Sequence, residues 1–285
     1  MKKTILTILF TCGCIVAFAQ TAPFRVKLYR ADEPVYFTLT QTSADIEGYD
    51  GDEITVEAVA APQTPPADAV GLKQIPIPGR TKENLNINPR MQEQNSAMRI
   101  NIPPGNYRHL LIKVPRTALV FVQIQTNYTD GRIKVNDVSS IQIEGNIPFV
   151  DVNNISNFVI EIGQNWSWRG MRNNGRITVS NVRWTDAPVM VNGHPTHRTC
   201  IIQTVLNDVV LSVAEDAKTN IIFSSMYAQA YSNLNTEAFS SSGDDSEEFQ
   251  KYNPTPLRLR TLTLGGGGVH TIISTNYGNL FIKKQ

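Results

Sequence analysis

From Met98 onward the chain alternates apolar and polar residues, broken at short intervals by polar turns, and this rhythm constrains the fold more than any other feature. The runs Met98-Arg99-Ile100-Asn101-Ile102, Leu110-Leu111-Ile112-Lys113-Val114 and Leu119-Val120-Phe121-Val122-Gln123-Ile124 open the series. A spacing of two places side chains on one face of a strand. Within the series, Gly131-Arg132-Ile133-Lys134-Val135, Gly175-Arg176-Ile177-Thr178-Val179 and Gly278-Asn279-Leu280-Phe281-Ile282 share the pattern Gly-x-(Ile/Leu)-x-(Val/Ile), each preceded by Asn-rich polar residues. Gly131 and Gly175 stand 44 residues apart, which is two turns of a coil of about 22 residues, a short solenoid repeat. In this reading Gly131, Gly175 and Gly278 supply left-handed corners. The residues two and four positions beyond each then point inward and stack on their equivalents. The expected fold is all-β: a single-chain β-solenoid, β-helix-like, with irregular N-terminal strands.

The N-terminal part divides into three. Residues 1–19 read as a secretory signal peptide: Lys2 and Lys3 precede an apolar stretch that ends in Ala17-Phe18-Ala19, a small-x-small cleavage site. Residues 20–66 hold short alternating runs (Phe24, Val26, Leu28; Val35, Phe37, Leu39; Ile54, Val56, Ala58) separated by turn residues, as strands leading into the solenoid. Residues 67–97 form an irregular connecting segment, and 98–285 the solenoid body. Within that body the polar, acidic stretch 240–250 reads as a loop. Cleavage after Ala19 removes Cys12 and Cys14 and leaves Cys200 without an intramolecular disulfide partner. Lipid anchoring through Cys14 is the weaker reading, because Thr11 stands where a lipobox wants Leu. The expected location is therefore outside the cytoplasm, in the periplasm or at the cell surface.

The balance of 26 basic against 25 acidic residues leaves no electrostatic footprint for nucleic acid or an anionic membrane. No apolar run beyond Ala19 is long enough for a transmembrane helix, which needs about 20 residues.

Three features together resemble a known family. They are the block from Ser43 to Ala58, the Leu111-Ile112-Lys113-Val114-Pro115 run before the first repeat, and the Gly-x-Ile-x-Val turns with the closing Tyr277–Lys284. In these the chain resembles bacterial putative-adhesin β-solenoid proteins, over roughly residues 40–60 and 100–285. The resemblance implies an exported or surface domain of unknown function, and it brings no catalytic residues with it. The proline-rich stretch after Ala60 and the acidic loop near Gly243 depart from the family pattern.

Candidate sites are few. Trp166 and Trp168, with Arg169 beside them, put two indoles on one side of a strand and are the best candidates for stacking on sugars or a partner surface. Arg172 and Tyr128 stand nearby in the sequence. The plainer account is that the indoles cap the core. His194, His197 and Cys200 carry zinc-ligand chemistry, but no fourth ligand accompanies them, and the expectation is no metal. Gly265–Gly268 precede a strand rather than a helix, which excludes a phosphate loop. Asp130, Asp137, Asp151 and Glu161 read as turn and surface acids rather than a catalytic set. The expected function is that of an exported, non-enzymatic β-solenoid without cofactor, an adhesin-like binding or structural protein of the envelope whose partner is an envelope macromolecule or glycan. The alternative is a β-helix carbohydrate-active enzyme acting on polysaccharide.

Overall fold

The computed structural model describes residues 23–30, 33–59, 90–94, 97–104, 109–125, 131–163, 175–184, 189–191, 194–196, 199–214, 216–234, 239–240 and 258–285. Among them every regular element is a strand. The first part of the chain contributes β1 (Phe24–Lys27), β2 (Pro34–Thr40), β3 (Ser43–Tyr49), β4 (Glu53–Val59), β5 (Arg90–Gln94), β6 (Ala97–Ile102) and β7 (His109–Pro115). The middle contributes β8 (Leu119–Gln125), β9 (Arg132–Asn136), β10 (Ser140–Gly145), β11 (Phe149–Ile155), β12 (Asn157–Ile162) and β13 (Arg176–Val182). There follow β14 (Val189–Val191), β15 (His194–Thr196), β16 (Thr199–Thr204), β17 (Asp208–Val213), β18 (Thr219–Ser225) and β19 (Ala230–Ser232). The last strands are β20 (Phe239–Ser240), β21 (Arg258–Leu264), β22 (Val269–Thr275) and β23 (Leu280–Lys284).

These strands form two large mixed sheets and one small antiparallel pair, β14 with β15. The ten-stranded sheet has the order β1-β4-β7-β3-β9-β11-β13-β17-β23-β19, and the eleven-stranded sheet β20-β21-β18-β22-β16-β12-β10-β8-β2-β6-β5. Read together, the two orders resolve into levels, each a strand of the eleven-stranded sheet followed in the chain by one of the ten-stranded sheet. From one end the levels are β6/β7, β2/β3, β8/β9, β10/β11, β12/β13, β16/β17, β22/β23 and β18/β19. Neighbouring levels pair in parallel in both sheets. Antiparallel strands close the ends: β4 on β7 and β5 on β6 at one, β21 on β18 at the other.

Parallel in-register pairing turns a period-two sequence into columns of like residues. One column on the ten-stranded sheet runs Ile112, Ile46, Val135, Val152, Val179, Leu211, Ile282. Its counterpart on the eleven-stranded sheet runs Ile100, Phe37, Val122, Ile143, Ile160, Ile202, Ile273, Phe223. Both columns are buried and belong to one continuous core. Each such aliphatic side chain contributes about 1.5–3 kcal/mol through burial, so the columns dominate the cohesion of the stack.

Two sequence expectations change here. Strands β2 and β3 do not lead into the body from outside: they lie inside it, between β6/β7 and β8/β9. Local alternation marks a strand but says nothing about which distant strand it meets. Part of the segment 67–97 is also strand, since β5 pairs antiparallel with β6.

One repeat glycine, Gly278, has a different physical basis from the one expected. Gly175 precedes β13 and Gly278 precedes β23, with Ile177, Val179, Leu280 and Ile282 buried beyond them. Gly278 does not take a left-handed backbone: a Cβ there would lie 1.9 Å from the carbonyl oxygen of Asn207, so glycine is required for close approach. Among the described residues left-handed φ falls on Asp137 (58°), Asn154 (53°) and Asn181 (52°), residue types that tolerate it, on Gln41 (51°), and among the glycines on Gly145 and Gly265–Gly267.

The run Gly265–Gly268 carries the chain from β21 to β22, which flank β18 on opposite sides. A Cβ on Gly265 would meet the Ala217 carbonyl oxygen at 2.5 Å, and one on Gly268 the Lys218 carbonyl oxygen at 2.5 Å. The glycines therefore serve a backbone crossing.

Candidate contact surface

The last two levels carry an exposed aromatic surface. The turn after β18 places Tyr227, whose backbone N–H donates to the Asn276 carbonyl (3.0 Å), and the turn after β22 places Tyr277, whose N–H donates to the Val205 carbonyl (2.9 Å). Successive turns are thus tied to one another, and the Tyr227 and Tyr277 rings stack with centroids 5.0 Å apart and planes 12° from parallel. On the outer face of the ten-stranded sheet Tyr231 of β19 sits opposite Phe281 of β23, their rings 5.2 Å apart and inclined by 13°. The Tyr231 hydroxyl donates to Gln229 Oε1 at 2.7 Å.

Three of these rings remain largely in solvent: Tyr227 is 69% exposed, Tyr231 49% and Tyr277 47%. Stacked rings gain about 0.5–1.5 kcal/mol per pair, and an aromatic face left in water is a ready platform for a sugar ring or an apolar partner. Beside this surface a cavity of about 300 Å³ is lined by Phe223, Ser225, Ala228, Gln229, Ala230 and Arg260.

A second surface runs along the strand ends of β9, β11 and β13, where in-register stacking lines up amides. Asn154 Nδ2 donates to Asp137 Oδ1, Asn153 Nδ2 to Asn136 Oδ1 (3.5 Å), and Ser180 Oγ to Asn153 Oδ1 (3.1 Å). Gln285 Nε2 extends the ladder to Asn181 Oδ1. The groove beside it, about 440 Å³, is lined by Asp137, Asn153, Asn154, Asn181, Arg183 and Gln285 among others. Its donors and acceptors suit hydroxyl-rich ligands.

Of the sequence candidates, Trp166, Trp168 and Arg169, like Arg172 and Tyr128, lie outside the described residues. Cys200 leaves the metal-ligand set. It faces the core at 0% exposure, and burial pushes its thiol up to about 12. A zinc ligand must be a thiolate, and a thiol held protonated in the core is poorly suited to that role. His197 lies outside the described residues.

Among the described residues the acids do not converge into one set. Asp151 pairs with Arg132 across strands (3.5 Å) on the ten-stranded sheet, Asp137 belongs to the amide ladder, and Asp130 lies outside the described residues. Glu161 is on the outer face of the eleven-stranded sheet, directly opposite Glu144. Burial, and then the Glu144 charge, raise its carboxyl above the usual carboxylate range.

A sequence signal for the aromatic surface does exist. Ser224-Ser225-Met226-Tyr227-Ala228-Gln229-Ala230-Tyr231 parallels Ser274-Thr275-Asn276-Tyr277-Gly278-Asn279-Leu280-Phe281, position by position at a 50-residue offset. The Gly-x-Ile-x-Val pattern overlooks it because Ala228 replaces the glycine.

Among the described residues no helix is long and apolar enough to cross a membrane, and no group of three or more His, Cys, Asp or Glu is placed to hold a metal. No family model and no curated protein matches the chain. Among solved structures, a putative cell adhesion protein from Clostridium sporogenes is 11% identical with a TM-score of 0.37, over 93% of this chain and 100% of that one. A putative adhesin from Bacteroides fragilis is 9% identical with a TM-score of 0.34, over 93% and 96%. At these TM-scores the likeness carries no weight for fold or function.

Proposed function

We propose that this chain is an exported, non-enzymatic β-solenoid, adhesin-like in that it presents side chains on a rigid stack to an envelope macromolecule or glycan. The observation that carries this reading is the pair of face-to-face aromatic contacts, Tyr227 with Tyr277 and Tyr231 with Phe281, left in solvent on adjacent levels. Core packing gives no reason to hold three tyrosines so exposed, whereas sugar or apolar-partner recognition does. The parallel levels support the solenoid description, and the signal-peptide pattern of residues 1–19 supports export. The protein is to be screened against immobilised cell-wall and capsular polysaccharides and against intact envelopes. Tyr227→Ala/Tyr277→Ala should keep the native unfolding midpoint within a few degrees and weaken capture about tenfold, as expected for the loss of 1–1.5 kcal/mol of stacking. Unchanged capture by that variant would reject the aromatic surface.

A second reading, a carbohydrate-active enzyme of β-helix fold, is favoured by one observation: Glu161 and Glu144 are opposed on neighbouring strands, and a carboxylate pair about 5 Å apart is the arrangement of retaining glycosidases. Release of new reducing ends from any polysaccharide, abolished by Glu161→Gln, would decide for the enzyme.

A further inference from the structure

We infer that Glu144, Glu161 and Gln142 form a site for a calcium-class divalent cation on the outer face of the eleven-stranded sheet. The starting point is an electrostatic imbalance. Strands β8 (LVFVQIQ), β10 (SIQIEG), β12 (NFVIEI) and β16 (TCIIQT) contain two carboxylates and no lysine or arginine. Those two carboxylates, Glu144 and Glu161, are register partners on adjacent parallel strands and both half-buried. Like charges directly opposite one another repel, and partial burial deprives them of the water that would screen the repulsion. A sheet that keeps such a pair gains by placing a positive charge between them.

An independent observation points to the same place. Gln142, two residues before Glu144 on the same face, is only 4% exposed, and its Nε2 donates to Glu144 Oε1. Its Oε1 is buried with no hydrogen-bond partner. The fixed width of an amide keeps that oxygen beside the Glu144 carboxylate, so a desolvated, unsatisfied acceptor sits against the acidic pair. A buried acceptor of this kind is destabilising when unsatisfied, and a cation would satisfy it together with both carboxylates.

Donor chemistry selects the ion. Opposed carboxylates and an amide oxygen on a half-open sheet face suit Ca²⁺, which accepts six to eight oxygens in irregular geometry at about 2.3–2.6 Å, better than Mg²⁺, which demands near-ideal octahedral geometry at about 2.0–2.1 Å. Every donor is a hard oxygen, and the same outward column continues to the exposed amides of Gln123 on one side and Gln203 on the other. Two carboxylates neutralise one divalent charge, and water from the open side completes six to eight ligands. The site lies on β10 and β12, separated from β22 by one strand, and does not depend on the contact reading.

The test uses the full chain, freed of metal by chelator and returned to neutral pH. Titrating Ca²⁺ in a calorimeter should show one saturable site, Mg²⁺ should bind at least ~10-fold more weakly, and saturating Ca²⁺ should raise the unfolding midpoint. Glu144→Gln and Glu161→Gln should each abolish that rise, Gln142→Leu should weaken binding, and Asp151→Asn on the other sheet should leave it intact. If the glutamate variants do not fold, terbium luminescence on the unmodified chain, displaced by Ca²⁺ and sensitive to Gln203→Ala, reads the same site. No heat and no midpoint shift with millimolar Ca²⁺, or equal binding in the Glu144→Gln/Glu161→Gln variant, would overturn the assignment. So would reducing ends released from polysaccharide in chelator, because the carboxylates would then work without the ion.

Discussion

Replacing Gly278 separates two explanations of the repeat glycine. If glycine were needed for a left-handed corner, Gly278→Asn would be nearly neutral, because asparagine adopts that backbone, while Gly278→Ala would be costly. The close approach predicts that both fail alike. A Cβ would lie 1.9 Å from the Asn207 carbonyl oxygen, whereas ordinary contact begins near 3.4 Å, so the backbone must retreat by about 1.5 Å. Three hydrogen bonds tie that corner to the neighbouring 205–209 segment: Val209 N–H to the Asn279 carbonyl (2.8 Å), Tyr277 N–H to the Val205 carbonyl (2.9 Å) and Asn279 N–H to Asp208 Oδ1 (2.8 Å). A retreat of that size carries all three beyond bonding distance. At about 1 kcal/mol each, the expected loss is about 3 kcal/mol for either variant. Gly163→Ala is the control: a Cβ there meets no heavy atom within 4 Å, and its effect should stay within about 0.5 kcal/mol. Urea unfolding followed by far-ultraviolet circular dichroism, compared at a common slope, gives the differences. An asparagine variant within about 0.5 kcal/mol of the wild type, with alanine destabilised, would refute the close-approach argument.

Other outcomes follow from the same geometry. Cys200, its thiol pushed up to about 12, should resist a thiol-specific disulfide reagent at pH 9 in the folded chain and react at once in urea; reaction without denaturant would place it at the surface. Cys200→Ser puts an additional hydroxyl into the core and should cost about 1–3 kcal/mol by urea titration. Ile160→Ala, in the middle of a buried column, should cost about 2–5 kcal/mol; a loss below 1 kcal/mol would show that the column does not carry the stack. Circular dichroism of the chain should be dominated by β-structure, and a helical spectrum would contradict the fold.

The strands themselves were legible in the sequence because period-two alternation is a local signal: Ile133 and Val135, Ile177 and Val179, Leu280 and Ile282 are all buried. The order of the levels was not. Ala44 meets Leu110 on one side and Ile133 on the other, and nothing within a run of seven residues encodes partners so distant. The opposed glutamates were invisible for the same reason, since Glu144 and Glu161 become neighbours only through the β10–β12 register. The aromatic surface was half legible. Tyr277 and Phe281 stood inside the recognised motif, but Tyr227 and Tyr231 belong to a copy that lacks the glycine and emerge as partners only when β19 lies against β23.

The position of β22 and β23 between levels that precede them in the chain has a consequence for how the molecule is assembled. Strand β23 lies between β17 and β19, and β22 between β16 and β18. A chain emerging in order completes β18 and β19 before the strands that separate them from β16 and β17 exist. Growth by adding one turn to the last therefore stalls with a slot open, and a mispaired register between β18 and β16 competes for it. The slot closes only when the final strands arrive and wedge in from the side. Folding deferred until the whole segment is available removes that competition, and losing those final strands would leave a gap in the stack instead of a shorter stack.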